Sequence, residues 1–200
     1  MIRFAFASVA ASILVGCAGT PKSWVNPELG KMPAILTVHL EPVDVSNKDD
    51  LGNNLKTDSV GFRDWLKPYL AKSLLAATRV DAIRWDDSLA VVPDSSTCGD
   101  TRQTFDRPAV NKGTGWILVI SHPWSERSRE YSNTVNGITK ETHYLNLGAR
   151  YLLVDRKTGT NIACGWAGTS SNFLTYMDKS NWEDAAAELG DRIGERLPRR

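Results

Sequence analysis

Hydrophobic and polar residues follow two different periods along the chain, and these periods predict both helices and strands. Apolar side chains recur every three or four residues in two segments, which is the spacing of an amphipathic helix. These two segments are residues 61–78 and 180–197. Alternation, or a short continuous apolar run, predicts strands at residues 34–40, 80–85, 116–120, 128–135, 144–154 and 161–173.

Several residues mark where these elements begin, bend or end. Pro68 lies inside the first helical pattern, so we expect a kink there or a helix that begins at this proline. Ser180 and Glu183 have the spacing of a capping box at the start of the second helix. Pro123 either ends a strand or opens a bulge, and Gly148 predicts a bulge or a close approach.

The turn residues and the order of the elements complete the predicted fold. Asn136-Gly137 is typical of a two-residue hairpin loop, and residues 155–159 predict a tight turn. Residues 87–114 are the least regular part, with a short helix expected near residues 101–110. The predicted class is α+β: a single domain with a mixed, mostly antiparallel sheet and two main helices packed on it.

The N-terminal segment has the features of a secretory signal peptide, with one basic residue, Arg3, and an apolar run from Phe4 to Val15. It ends in Leu14-Val15-Gly16-Cys17, which resembles the lipobox of bacterial lipoproteins. The resemblance implies cleavage before Cys17 and lipidation of its thiol. We therefore expect a lipoprotein signal peptide (residues 1–16), a short lipidated tether (17–33) and a periplasmic domain (34–200).

The membrane attachment is expected to depend on lipid alone. The longest later apolar run, residues 116–120, is too short to span a bilayer, whereas several acyl chains together anchor a protein firmly. In bacterial lipoproteins an Asp after the lipidated Cys is the usual inner-membrane retention signal. Because Ala18 stands there, the resemblance implies the outer membrane, with the domain in the periplasm. Trp24 either anchors at the membrane interface or packs back on the domain.

The charge balance argues against nucleic acid as a partner. The chain has 24 basic and 23 acidic side chains, and the two numbers become equal once Arg3 leaves with the signal peptide. Binding to nucleic acid needs a basic face, which this balance does not provide.

Two cysteines remain after Cys17, namely Cys98 and Cys164. In an oxidising periplasm they are candidates for one disulfide bond. The alternative is two separate thiols, with Cys164 as a small core residue on a strand.

A search for catalytic motifs finds no serine-hydrolase elbow, P-loop, dinucleotide-binding glycines or zinc-peptidase motif. His39, His122 and His143 lie in or beside predicted strands, where they could converge on a metal ion, but scattered histidines explain them equally well. Three glutamates lie on a polar hairpin, namely Glu126, Glu130 and Glu141. They are either paired carboxylates for glycosidic chemistry or a solvated strand face. We predict no catalytic residue, no metal site and no cofactor.

The seven tryptophans are more informative. Trp65, Trp116 and Trp182 fit the predicted core, whereas Trp85, Trp124 and Trp166 are candidate interface aromatics. Aromatic residues are enriched at protein interfaces and on sugar-binding faces. The alternative is a tryptophan-rich core.

The order of elements also resembles one family of periplasmic lipoproteins. A strand, an amphipathic helix and a short strand precede GTGWILVI (residues 113–120), which is followed by further strands, a turn from Asp155 to Gly159, and a closing helix. This order resembles the family that includes CsgG and LpoB, whose domains are related to the N-terminal domain of TolB. The resemblance implies a mixed sheet packed by helices. Apart from Cys17, no functional residue is implied.

Members of that family either bind a periplasmic enzyme or assemble into secretion rings. We therefore expect a non-catalytic accessory component that binds another part of a cell-envelope assembly, with a protein partner. One alternative is a ring-forming subunit of an export apparatus, which would be a homo-oligomer. The other is an enzyme acting on the cell wall, which would need His122, His143 and a carboxylate in one cleft.

Overall fold

The computed structural model describes residues 23–28, 31–101, 103–109, 113–133, 139–173 and 176–200. The expected signal peptide (residues 1–16) and Cys17 lie outside the described residues, and so does the Asn136-Gly137 turn. The signal peptide, the lipidation of Cys17 and the hairpin turn therefore stay predictions.

Within the described residues the chain forms two sheets and two long helices. The strands are β1 (Ser23–Val25), β2 (Ile35–Leu40), β3 (Asp44–Val45), β4 (Ala82–Trp85), β5 (Val91–Thr97), β6 (Thr104–Pro108), β7 (Trp116–Asn133), β8 (Thr139–Asp155) and β9 (Asn161–Phe173). The helices are α1 (Lys48–Asp50), which continues into a π-helical turn (Leu51–Leu55), α2 (Ser59–Thr78) and α3 (Lys179–Gly194).

The main sheet has the order β1-β9-β8-β7-β2-β4, with β3 paired to β7, and β5 pairs with β6 in a separate hairpin. Strand β2 is parallel to β4 and β7, and β3 is parallel to β7. The other pairs are antiparallel. The predicted α+β class, with a mixed, mostly antiparallel sheet and two main helices, is confirmed.

Helix α2 runs without interruption through Pro68, so the expectation of a helix that begins at this proline is wrong. Its first turn is capped by Asp58, whose side chain accepts a hydrogen bond from the backbone N–H of Gly61. The apolar stripe found in the sequence faces the core, with Phe62 and Leu70 fully buried. The periodicity therefore predicted the buried face and the end of the helix correctly, and the helix begins two residues before the predicted start.

Helix α3 packs closely against α2 because small residues lie at their contact. A Cβ atom at Gly190 would come within 2.7 Å of Ser73, and one at Gly194 within 2.5 Å of Ala77. Asp178, which accepts from the backbone N–H groups of Ser180 and Asn181, caps α3. The expected capping box of Ser180 and Glu183 is therefore wrong, since Asp178 and Asn181 form the box two residues earlier.

A β-bulge divides the long strand β7 into two parts that face different surroundings. The regular pairing with β8 shifts between Ser121 and Trp124. Pro123 lies in this interval, so of its two predicted effects, a strand end or a bulge, the bulge is confirmed. Before the bulge, Leu118 and Ile120 belong to the core under the helices. After it, Trp124 pairs with Gly148 and lies on the opposite face of the sheet.

The β5–β6 hairpin covers one end of that opposite face. Phe105 and Cys98 pack there against Ile117, Leu152 and other strand residues in a second apolar cluster. The short helix expected near residues 101–110 is therefore wrong, because β6 pairs with β5 and inserts Phe105 into this cluster. Such a tertiary contact overrides weak local preferences.

The Sγ atoms of Cys98 and Cys164 lie 2.22 Å apart, which is compatible with the expected disulfide. Trp24 also contacts this region, since a Cβ atom at Gly99 would come within 2.2 Å of its ring. Strand β1, which contains Trp24, pairs with β9. Part of the segment expected to be a tether therefore belongs to the sheet.

Among the described residues, no helix combines the length and the apolar character needed to cross a membrane.

Candidate functional site

The face of the sheet away from the helices carries two tryptophans beyond the end that the β5–β6 hairpin covers. Trp124 on β7 and Trp166 on β9 are both half-buried and border one groove of about 410 Å³. We call this feature the aromatic groove, and it is lined by Trp124, Glu126, Asn146, Leu147, Trp166, Gly168, Thr169, Ser170 and Arg192. Its volume lies within the roughly 300–1,000 Å³ typical of small-molecule sites.

Two glycines allow the indole rings to lie close to the backbone of the sheet. Gly148 on β8 pairs with Gly168 on β9, and Trp124 lies directly opposite Gly148. A Cβ atom at Gly148 would meet three adjacent ring atoms of Trp124 at 2.7 Å each, so the glycine faces the plane of the ring. A Cβ atom at Gly168 would come within 2.3 Å of the Trp166 ring. A larger residue at either position would displace the neighbouring indole.

A short chain of polar contacts fixes the rim of the groove on the helical side. Glu188 of α3 hydrogen-bonds the hydroxyl of Thr169 and accepts from Arg192 Nη2 at 2.6 Å and Nε at 2.9 Å. Burial raises the pKa of the Glu188 carboxyl, but the hydrogen bonds from Thr169 and Arg192 outweigh it, so the pKa lies below its ordinary value. Arg192 is thereby held at the rim with its charge paired.

The remaining polar groups of the groove lie in the next row of the sheet, two residues along each strand from Trp124, Gly148 and Gly168. Asn146 donates to Ser128 Oγ at 2.8 Å, which fixes the orientation of its amide. Glu126 and Ser170 are exposed to solvent. The groove therefore combines two aromatic rings with amide, hydroxyl and carboxylate groups that can form hydrogen bonds.

The lining of the groove contains few groups of the kind that carry out acid–base or nucleophilic chemistry. Glu126 is the one carboxylate among the lining residues, and these residues include no histidine or cysteine. A nucleophile that is activated by a general base needs two such groups within hydrogen-bond reach of each other. A larger depression of about 630 Å³ beside α1 is lined by Lys48, Asp49, Gly52, Asn53, Thr57, Asp58 and Ser59, and contains no aromatic side chain.

The other predicted site residues lie elsewhere. Trp85 is on β4 at the far edge of the sheet, with Lys67 Nζ 5.8 Å from its ring centroid, so the structure separates it from Trp124 and Trp166. Cys98 and Cys164 lie under the β5–β6 hairpin, away from the groove.

The three histidines do not converge. His39 Nδ1 lies 2.8 Å from the backbone oxygen of Asp86, and the His143 ring stacks on Phe173 with centroids 5.5 Å apart. His122 instead lies beside Asp106, with Nε2 2.8 Å from Oδ2. A three-histidine metal site is therefore not formed, and the cell-wall enzyme that would need His122 and His143 in one cleft has no support.

Sequence reasoning missed three contributors to the groove, namely Asn146, Gly168 and Arg192. Gly168 carries a recognisable signal, because a second glycine inside a strand marks a close approach. Arg192 and Asn146 carry none, since an arginine on a helix and an asparagine on a strand are ordinary solvent-facing residues.

Comparison with known proteins shows a similarity of fold alone. No protein-family model matches the sequence, and no curated protein matches it. The chain is similar to the PelC dodecamer from Paraburkholderia phytofirmans, with 12% identity, 89% of this chain and 96% of that chain covered, and a TM-score of 0.46.

Two further solved structures are similar to the chain. One is a minor lipoprotein from Acinetobacter baumannii, with 12% identity, 84% and 92% of the two chains covered, and a TM-score of 0.41. The other is the uncharacterised lipoprotein B from Nitrosomonas europaea, with 12% identity, 86% and 89% covered, and a TM-score of 0.38. All three scores lie below 0.5, so we base no argument about function on them, and the narrower resemblance to the CsgG, LpoB and TolB family stays a prediction.

Proposed function

We propose that this protein is a lipid-anchored, non-catalytic component of the cell envelope that holds a linear, uncharged polysaccharide in the aromatic groove. The observation that carries the proposal is the placement of Trp124 and Trp166 over the paired glycines, on a part of the sheet that no described element covers. Buried tryptophans would serve packing, whereas a half-buried tryptophan that lines a groove exposes part of its surface to a ligand.

A sugar chain fits the chemistry of the groove. A β-linked pyranose presents a flat face of C–H groups, which packs on an indole, and a rim of hydroxyl groups, which needs donors and acceptors beside the ring. The amide of Asn146, the carboxylate of Glu126 and the hydroxyl of Ser170 supply such groups in the same groove. The combination of an apolar platform with a few polar groups is typical of small-molecule sites.

The charges of the groove favour an uncharged chain. The guanidinium of Arg192 is paired with Glu188, which leaves Glu126 as the remaining charged group among the lining residues. A strongly acidic polysaccharide would need cationic groups free to pair with it, as phosphate and carboxylate recognition generally does.

The place of action follows from the N-terminal sequence. The lipobox-like segment that ends at Cys17 supports lipidation, and Ala18 supports the outer membrane, as argued from the resemblance to lipoproteins. We infer that the domain faces the periplasm and that its function is to hold or guide a glycan near the membrane.

The test is a calorimetric titration of the full chain, in detergent micelles, with chitohexaose and with cellohexaose. We expect Trp124→Ala and Trp166→Ala each to raise the Kd about tenfold or more, which corresponds to about 1.4 kcal/mol of lost stacking. Trp85→Ala is the matched control, because it removes a half-buried tryptophan outside the groove, and it should leave the Kd unchanged.

The proposal fails if neither sugar binds, or if Trp85→Ala weakens binding as much as the groove variants do. Circular dichroism of each variant shows whether the fold is retained. A different outcome is that no sugar binds, while the groove variants lose a cross-link to one envelope protein in intact cells. The groove then binds a protein, and the accessory function is protein binding in place of glycan binding.

A second candidate function, as a subunit of a homo-oligomer, is favoured by the last part of the outer edge of β9. Strand β1 pairs with residues 163–165 of β9, and Arg196 Nη1 donates to the Trp166 carbonyl at 2.6 Å. No described strand pairs with the outer edge of β9 from residue 167 to residue 173. Unpaired edges accept a further strand. Native mass spectrometry decides this point, since a single closed oligomer supports it and a monomer at micromolar concentration excludes it.

A further inference from the structure

A second cluster of functional side chains lies at the bulge of β7, on the sheet side of the β5–β6 hairpin. Glu41, Asp106 and His122 each direct one ligand atom to the same place, and these atoms all lie within 4.8 Å of one another. His122 Nε2 is 2.8 Å from Asp106 Oδ2, and the backbone N–H of His122 donates to Glu41 Oε2 at 2.9 Å.

Three distant segments of the chain bring these residues together. Glu41 follows β2 directly, and its backbone N–H donates to the carbonyl of Ile120 at 3.0 Å, which sets it beside β7. His122 occupies the bulge with φ of 47°, a left-handed conformation that is rare for a residue other than glycine. Asp106 comes from the middle of β6.

We propose that Glu41, Asp106 and His122 form a binding site for a divalent transition-metal ion. One imidazole nitrogen and two carboxylate oxygens are a donor set that suits zinc, manganese or iron, whereas calcium and magnesium prefer oxygen ligands alone. Three protein ligands leave at least one position of the ion for water.

The burial of the three side chains fits an ion that is held from the protein side and open to solvent on the other. The Asp106 side chain is 9% exposed and His122 is 59% exposed. A carboxylate so deeply buried requires a positive partner nearby. A bound cation would provide that charge, and His122 would bind it through an unprotonated ring nitrogen.

The site would also fasten the hairpin to the sheet. Asp106 belongs to β6, whereas His122 lies in β7 and Glu41 directly follows β2 of the main sheet. The Cys98–Cys164 pair and the hydrogen bond from Arg107 to Asn161 Oδ1 already connect the hairpin to β9. Metal binding should therefore stabilise the folded protein, because the unfolded chain lacks this site.

The experiment is a calorimetric titration with ZnCl₂. The untagged full chain is kept in detergent micelles and is first dialysed against a chelator. Thermal unfolding with and without ZnCl₂ gives a second readout. Loss of a second-shell partner typically costs 10–100-fold in metal affinity, so loss of a direct ligand in His122→Asn or Glu41→Gln should weaken zinc binding about tenfold or more. Both variants should also lose the zinc-induced rise in Tm.

The substitutions are chosen to preserve the fold. Asparagine tolerates the positive φ at position 122, and glutamine at position 41 retains an oxygen that can accept from the His122 backbone. His143→Asn is the matched control, because His143 Nε2 lies 3.4 Å from Glu141, in a pair outside this cluster.

The expected result is one zinc ion per chain, bound about tenfold or more weakly by His122→Asn and with unchanged affinity by His143→Asn. The proposal is overturned if the parent protein binds zinc no more tightly than His122→Asn, or if His143→Asn is equally impaired. In either case the three residues form a hydrogen-bonded contact between hairpin and sheet and no metal site. The result is independent of whether the aromatic groove binds a glycan.

Discussion

The indole of Trp124 lies against Gly148, its direct partner on the neighbouring strand, so closely that a Cβ atom at Gly148 would come within 2.7 Å of the ring. The pair exists because the bulge of β7 turns Trp124 to the face opposite the helices, and because Gly148 has no side chain to occupy the space above its backbone. The shape of the aromatic groove therefore depends on a glycine that makes no polar contact with a ligand.

Gly148→Ala tests this dependence. The added methyl group should push the Trp124 ring out of its place, raise the Kd for chitohexaose about fivefold or more, and cost about 1–3 kcal/mol of stability through overpacking. The measurements are calorimetric titration and urea unfolding. Gly52→Ala is the control, since nothing lies within 4 Å of a Cβ atom at Gly52, and unchanged binding in Gly148→Ala would disprove the role of the contact.

The bond between Cys98 and Cys164 should contribute strongly to stability. It would close a loop with a sequence separation of 66 residues, for which the chain-entropy relation gives about 4 kcal/mol. Urea unfolding of the parent protein should therefore shift to lower denaturant when a phosphine reductant is added. The double variant Cys98→Ser with Cys164→Ser should unfold at that lower concentration with or without reductant. A parent protein that is insensitive to reductant would show that the thiols are not bonded.

The contact between Glu188, Thr169 and Arg192 should make stability depend on acid pH. The pKa of Glu188 is lowered from 4.5 in the folded protein. Its contribution is therefore fully present above pH 4.5, the value expected for the unfolded chain, and is lost as the pH falls through the lowered pKa.

Thermal unfolding between pH 7 and pH 3 measures this effect. Glu188→Gln should unfold at a lower temperature than the parent at pH 7, and the gap between the two should narrow as the pH falls below 4.5. Thr169→Val, which removes one of the two hydrogen-bond partners, should show a smaller gap at pH 7. A gap that stays constant over the whole pH range would contradict the assignment.

The sequence determined the elements whose signals are local. The alternation that predicts a strand at residues 161–173 gives β9 with the same bounds, and the apolar spacing of residues 61–78 gives the buried face of α2. Side chains two or four positions apart share a face whatever the rest of the chain does. The lipobox-like ending at Cys17, likewise a local pattern, carries the prediction of where the protein resides.

The tertiary structure decided everything that depends on register and on contacts between distant segments. The bulge at Pro123 determines which face receives Trp124, the pairing of Gly148 with Gly168 prepares the space for the two indoles, and the docking of β6 places Asp106 beside His122. None of these follows from local propensity, because a shift of one residue in strand pairing would move each of these side chains to the opposite face of the sheet. The sequence therefore determined which segments fold and how, and the packing of the strands alone decided which side chains meet.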